Sequence, residues 1–408
     1  MSNPHPIQPI HPVIVIPAYR RADSLVRLLT SLNAAHYKDH PVKLIISVDG
    51  EGTMEVLEKA RSFDFKSGEV EVIAHANHMG LRDHIIWCGD LSLQYGGVIV
   101  LEDDLVVDPY FYDYAVEAAT FYDSEPAITG IALYSQRHND AAELPFEPLQ
   151  SKFSTYFMQV GCSWGQLWTA SQWTGFRDWY AGVSSAEVDS CIGLPDNVKR
   201  WAESSWKKYF NAYIVKTGKY VVYPYQTFST NCSDRPGVHI KEASNVFQVP
   251  LRHPVRPAES YEFAPFEDQL IVYDAYMEPC GSFIFDLLGR GRDEVEIDMY
   301  GQKPWEVASR KKYLLTSKKL KQRALANYPV SFKPLEMNLL YPTEFRDAVY
   351  IRLYEITEIT KPSALSNKGY FYLARYYAYL ETRNLKYAKG YLRDFALYII
   401  RLYRNKIT

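Results

Sequence analysis

Over the first 125 residues, short apolar runs alternate with stretches of helical period. The runs are VIVIP (13–17), LIISV (44–48), EVEVIAHA (69–76) and GVIVLE (97–102). Short, β-branched and bounded by turn residues, they read as strands, and the continuous ones read as strands buried on both faces. Between the first two, Leu25, Leu28, Leu29 and Leu32 recur at i, i+3, i+4 and i+7, one face of a helix, with Asp23 placed to cap its start. Further helices are expected near 53–63 and 82–94. Asp108-Pro109 reads as a helix start with proline at the first helical position. This alternation predicts an α/β domain with a mainly parallel sheet. Such sheets bind ligands beyond the carboxyl ends of their strands. Residues 17–21, Asp49 and the three carboxylates Glu102, Asp103 and Asp104 all fall at those ends.

Past residue 150 the pattern turns irregular and aromatic, through GCSWGQLWTASQW and WAESSWKKYFNAYI, with one further strand at 219–224 and a polar loop at 229–240. The proline-rich stretch 250–270 reads as a connector, and from about 345 the chain reads as helical. The expected organisation is an α/β ligand-binding domain over 1–250, a connector over 251–340 and a helical, tyrosine-rich basic region over 341–408.

Composition narrows the partners. A net charge of −3 provides no basic field for nucleic acid. The N-terminus lacks the charged start and apolar core of a signal peptide, and no apolar run reaches 18 residues, so the expected setting is the cytoplasm. Five scattered cysteines without a CxxC pair point to reduced thiols rather than a zinc site. The 33 tyrosines offer stacking faces with a polar tip, which suits sugars and bases.

The acidic triplet carries the chemistry. Carboxylate oxygens are hard ligands for Mn2+ or Mg2+, and a magnesium site takes one or two of them, leaving other positions to water and phosphate. Three adjacent carboxylates at a sheet edge therefore suit a metal–diphosphate site. Trp164, among the small residues of GCSWGQLW, reads as a wall that stacks on a sugar face.

VIVIPAYRR, ISVDG, HMGLRDHII and VLEDDLVVDPYFYDYA, in that order, resemble the GT-A glycosyltransferases over roughly residues 12–240. The likeness is to family 2-like enzymes of bacterial surface polysaccharides and to the N-acetylglucosaminyltransferase I family, whose metal motif is also Glu-Asp-Asp. The resemblance implies that Pro17, Ala18, Tyr19 and Arg20 line the nucleotide pocket and that Asp49 contacts the base. It brings Arg82 to the diphosphate or base, Glu102 to the transferred sugar and Asp103 to the ribose or a metal-bound water. Asp104 would ligate the cation. YPYQTFSTNCSDRPGVHI resembles the late loop of these enzymes, which makes His239 the further metal ligand. Where the related families place an Asp-rich catalytic segment, this chain has RWAESSWKKYFNAY. The reaction is expected to invert, with Glu203, that segment's nearest carboxylate, as the candidate base and Asp196 in reserve; a retaining reaction would need no such base.

The implied activity is metal-dependent transfer from a nucleotide sugar, expected to be a UDP-sugar, to a glycan or lipid-linked glycan acceptor. Two rivals stand beside it. A sugar-1-phosphate nucleotidyltransferase would open with a glycine-rich loop, which IPAYRRADS lacks. A non-catalytic glycan-binding protein of the same fold is the other. Between 370 and 408, Arg375, Arg383, Lys386, Lys389, Arg393, Arg401, Arg404 and Lys406 face only Glu381 and Asp394, beside an apolar stripe from Tyr387 to Leu402. Such a helix docks on protein, on a second copy of the chain, or on an anionic membrane surface.

Overall fold

The structure is a computed structural model that describes residues 8–38, 40–234, 247–251, 260–268, 270–342 and 349–356. In chain order the first elements are β1 (Val13–Ala18), α1 (Ala22–Asn33), β2 (Val42–Val48), α2 (Met54–Ser62), β3 (Gly68–Ala74), α3 (Gly80–Tyr95), β4 (Gly97–Val100), β5 (Leu105–Val107), α4 (Phe111–Tyr122) and β6 (Ile128–Ala132). There follow β7 (His138–Asn139), β8 (Leu144–Pro145), β9 (Thr155–Met158), β10 (Gln166–Thr169), α5 (Ala170–Tyr180), α6 (Ser185–Asp189), α7 (Asp196–Lys199), α8 (Trp206–Thr217), β11 (Tyr220–Pro224), β12 (Ser229–Asn231), β13 (Val272–Tyr273) and α9 (Ser282–Leu288). The chain divides into two compact units, one of residues 1–141 and 146–292, the other of 142–145 and 293–408.

The first unit is built on a nine-stranded sheet of order β13-β9-β11-β6-β10-β4-β1-β2-β3. Its β4-β1-β2-β3 half is parallel throughout, as the apolar runs predict. β10 then pairs antiparallel with both β4 and β6. On one face Ile14, Ile16, Leu44 and Ile46 meet the leucine stripe of α1 and Val56 and Ala60 of α2 in one core. Leu28 and Leu32 are fully buried there. α3 packs against β1 and β4. It stops at Gly96, whose φ of 80° turns the chain left-handed straight into β4.

Two helix starts differ from the sequence reading. Asp23 does not cap α1. Arg21 stands at the cap position and Asp23 lies inside the first turn, where its charge still favours the positive helix end. Pro109 does not open α4. The Asp108 carboxylate accepts the Tyr110 N–H (2.8 Å), its carbonyl accepts that of Phe111 (3.1 Å), and the helix begins two residues later than expected.

The second unit carries β14 (Val295–Asp298), α10 (Trp305–Ala308), β15 (Tyr313–Thr316), β16 (Ala326–Pro329), α11 (Met337–Leu340) and β17 (Tyr350–Glu355). They form a four-stranded sheet of order β14-β15-β17-β16. Residues 260–292 pack with the first unit and 293–342 build this sheet, where the sequence was read as a connector. The helical reading of residues beyond 345 fails at β17. YIRLYE buries Ile351 and Leu353 in alternation and pairs with a strand on each side, which satisfies its backbone as a helix would. All five cysteines are free thiols. Among the described residues no helix is long and apolar enough to cross a membrane.

Candidate active site

β1 and β4 run parallel, so the turns leaving their carboxyl ends lie side by side. Leu101 donates its N–H to the Val15 carbonyl (3.0 Å) just before the triplet. Just after it, the Asp104 carbonyl accepts the Cys232 N–H (2.9 Å), where β5 and β12 pair antiparallel. The three carboxylates are thus fixed from both sides. Asp103 and Asp104 are 3% and 6% exposed, and Glu102 is half-buried.

Like charges so placed need a counter-charge, and the chain supplies Arg21. Its Nη1 donates to Asp104 Oδ2 at 3.0 Å and its Nη2 to Asp103 Oδ1. Burial pushes the Asp103 carboxyl up to about 6 even with Arg21 beside it. Burial, and then the charge of Asp104, push Glu102 up as well. Burial opposes the charge on Arg21, but Asp103 and Asp104 hold the guanidinium well above its ordinary value. One oxygen is left over: Asp104 Oδ1 is buried without a hydrogen-bond partner. A buried anionic oxygen in that state is costly unless a ligand completes it.

Beside the triplet, Asp234 accepts Ser24 Oγ (2.7 Å) and Arg27 Nη1 (3.1 Å), with a second contact from Arg27 Nη2. This ties the end of the β12 strand to α1. His239, the second metal-ligand candidate, lies outside the described residues.

The nucleotide candidates gather along the neighbouring edge. Pro17 and Ala18 pair with Ser47 and Val48 as the last residues of β1. Tyr19 stacks on His78 (5.4 Å between centroids) under the Arg20 guanidinium (4.4 Å), and both Tyr19 and Arg20 reach Glu51. Asp49 is buried and accepts the N–H groups of Met79 (2.8 Å) and Gly80 (3.2 Å), with His78 Nδ1 at 3.1 Å. Burial raises its proton affinity, but those bonds and His78 outweigh it and hold the carboxyl below its usual range. Asp49 therefore anchors the start of α3. Gly50 beside it is needed for space, since a Cβ there would come within 2.3 Å of the Asn77 backbone.

Other candidates sit apart. Arg82 donates to Asp83 Oδ1 (2.9 Å) and to the Glu203 carbonyl (3.0 Å) and lies over Tyr209, which ties α3 to the loop before α8. Glu203 is exposed and accepts Ser185 Oγ (2.7 Å), while exposed Asp196 pairs with Lys199 (3.7 Å). Among the described residues neither carboxylate makes a hydrogen bond or ion pair with the triplet. Trp164 is half-buried between Tyr134 (4.7 Å) and Phe247 (4.8 Å). Lys207, standing where the sequence comparison expects an aspartate, lies 5.5 Å from the Trp164 ring and 5.6 Å from that of Trp201, and its charge reaches Glu102. Sequence reasoning placed Arg21 at the strand ends and Lys207 at the break in the acidic pattern but gave neither a role in the site. The available signal was the second arginine of PAYRR and the lysine that breaks the acidic pattern.

Residues 13–159 match the glycosyl transferase family 2 model. No curated protein matches the chain by sequence. Among solved structures the chain is similar to the mannosyltransferase PcManGT from Pyrobaculum calidifontis in complex with GDP-Man and Mn2+, at 9% identity over 58% of this chain and 63% of that one, with a TM-score of 0.37. It is also similar to TarS 1–349 of S. aureus in complex with UDP-GlcNAc, at 13% identity over 57% of this chain and 61% of that one, with a TM-score of 0.34. The chain thus spans about three fifths of the length of these structures. The family match covers the parallel half-sheet and the triplet at its edge, so over residues 13–159 the chain is similar to a glycosyl transferase family 2 domain.

Proposed function

We propose that the protein is a metal-dependent glycosyltransferase that moves a sugar from a nucleoside diphosphate donor, a UDP-sugar, to a glycan or lipid-linked glycan acceptor in bacterial surface polysaccharide synthesis. The observation that carries the reading is the orphaned, buried Asp104 Oδ1 within a carboxylate triplet at the edge of a parallel sheet. The donor set fits a hard divalent cation. Asp104 would hold Mn2+ or Mg2+ with Asp103 beside it and His239 as the further ligand; bound there, the ion supplies the charge neutralisation that a departing diphosphate requires.

The chain's own residues do the rest. The Tyr19–His78 stack and Asp49 offer a ring face and an anion for a nucleobase. Arg82 remains the candidate for the diphosphate or base. Glu102 serves the transferred sugar, and Trp164 with Lys207 walls the same side. An inverting reaction needs a carboxylate to take the acceptor proton, and Glu203 is the candidate, with Asp196 behind it.

A panel of nucleoside diphosphates, each with and without Mn2+, tests the reading by thermal stabilisation. UDP is expected to raise the melting temperature only with Mn2+, and Asp104→Asn to abolish that effect without lowering the melting temperature of the metal-free protein. An Asp104→Asn variant with wild-type Mn2+-dependent UDP stabilisation would sink the metal assignment.

A further inference from the structure

Arg21 balances the triplet from within the chain, and it does so on the same carboxylate that the proposed metal needs. Its fork engages one oxygen of Asp103 and one of Asp104 and leaves Asp104 Oδ1 buried and unpartnered. Its side chain is 18% exposed, against 5% and 8% for the two aspartates, so the arginine is the solvent-facing member of the group. It stands at the cap position of α1, shortly after β1, and its side chain makes no cap bond to that helix. A guanidinium and a divalent ion on one carboxylate repel each other. The same planar fork that grips two carboxylates also matches phosphate oxygens.

We infer that Arg21 is a displaceable counter-cation: it holds Asp103 and Asp104 while the site is empty and yields Asp104 to the divalent ion that arrives with a nucleoside diphosphate, its fork then serving the diphosphate. This rests on the metal-site reading of Asp104. In this arrangement Mn2+ alone binds weakly because it competes with an internal cation. Nucleotide alone binds weakly because the fork is engaged. Together they bind tightly. Arg21 is thus a positioning residue that couples the two ligands and keeps the metal from loading without donor.

The test measures Mn2+ alone by paramagnetic resonance of the free ion, and UDP by calorimetry with and without Mn2+. In the wild-type chain, UDP is expected to raise Mn2+ affinity about tenfold or more, a typical coupling size. Arg21→Gln is expected to bind Mn2+ alone about tenfold tighter, to bind UDP–Mn2+ more weakly, and to lose most of the coupling. Arg21→Lys keeps the charge without the fork, so it should restore weak Mn2+ binding but not UDP affinity. An Arg21→Gln affinity for Mn2+ alone that equals or falls below wild type overturns the inference. Should that variant fail to fold, a wild-type Mn2+ affinity indifferent to UDP overturns it equally. If neither the wild-type chain nor Arg21→Gln binds Mn2+, with or without a nucleoside diphosphate, the metal-site reading itself fails, and the inference with it.

Discussion

Ser47 sits between two histidines, with its hydroxyl 2.8 Å from His75 Nε2 and 2.7 Å from His84 Nε2. One hydroxyl donates to one ring only, so the other ring must donate to it, and the trio is complete with both rings neutral. Burial pushes His84 down to about 4 and lowers His75 too. Unfolded, His84 takes up a proton near 6.5. Between pH 4 and 6.5 the unfolded chain therefore holds more protons than the folded one. Stability from the neutral ring is complete above that window and is lost as pH falls through it, with a size on the order of 3 kcal/mol. His84→Gln should flatten the rise of the melting temperature between pH 4 and 6.5, and a variant slope as steep as wild type would refute the assignment. At this scale the sequence showed which side chains sit at strand ends, because a charge after an apolar run is visible in one dimension. It did not show which charges meet. Arg21 and Asp104 are 83 positions apart and are joined only by the pairing of β1 with β4. The orphaned oxygen of Asp104 is a fact of packing that no motif encodes.

Among the elements, the parallel strands and their helices were legible because each carries its own period: Val13–Ala18 is apolar throughout, and α1 repeats leucine on one face. Starts and ends were less so. The α4 start was displaced by the Asp108 turn, and β17 reads as helical in a tyrosine-rich stretch until two neighbouring strands claim it. Leu28→Ala should cost about 2–5 kcal/mol, since a fully buried leucine in the α1 core leaves a cavity behind; urea unfolding measures it, and a loss below 1 kcal/mol would mean the core there collapses freely. The α3 start shows how one residue serves two scales. Asp49 satisfies two N–H groups at the entrance to that helix, so Asp49→Ala should cost about 1–2 kcal/mol of stability even without nucleotide. Unchanged unfolding of Asp49→Ala would reduce the residue to a ligand contact. The loop before α8 carries the remaining element-scale prediction. If Glu203 is the acceptor base, Glu203→Gln lowers turnover by about 10²–10⁴-fold with donor binding intact. Normal turnover would pass the role to Asp196, and if Asp196→Asn is also normal, anomeric analysis of the product by NMR should show retention.

At the scale of the whole molecule, recognisable pattern and described structure stop at different places. The family match ends at residue 159, the first compact unit at 292, and the second carries a sheet where the sequence offered a connector and the start of a helical region. The basic region 370–408 lies outside the described residues, so its role rests on composition: eight cations against two acids, beside the stripe of Tyr387, Tyr391, Leu392, Phe395, Tyr398, Ile399 and Leu402. A glycosyltransferase acting on a lipid-linked acceptor has to work at the bilayer surface, and each cation near an anionic surface contributes about 1 kcal/mol, so a few suffice for reversible attachment. The full chain should therefore sediment with anionic liposomes at low salt and leave them as the screening length falls from about 10 Å at 0.1 M to about 3 Å at 1 M. A chain ending at Ser366 should stay in solution in both conditions. Full-length protein that ignores anionic liposomes at low salt removes the membrane from the reading. A truncated chain that unfolds, or changes its oligomeric state, would instead show that the apolar stripe packs on protein, either its own units or a second copy, as amphipathic helices more often do.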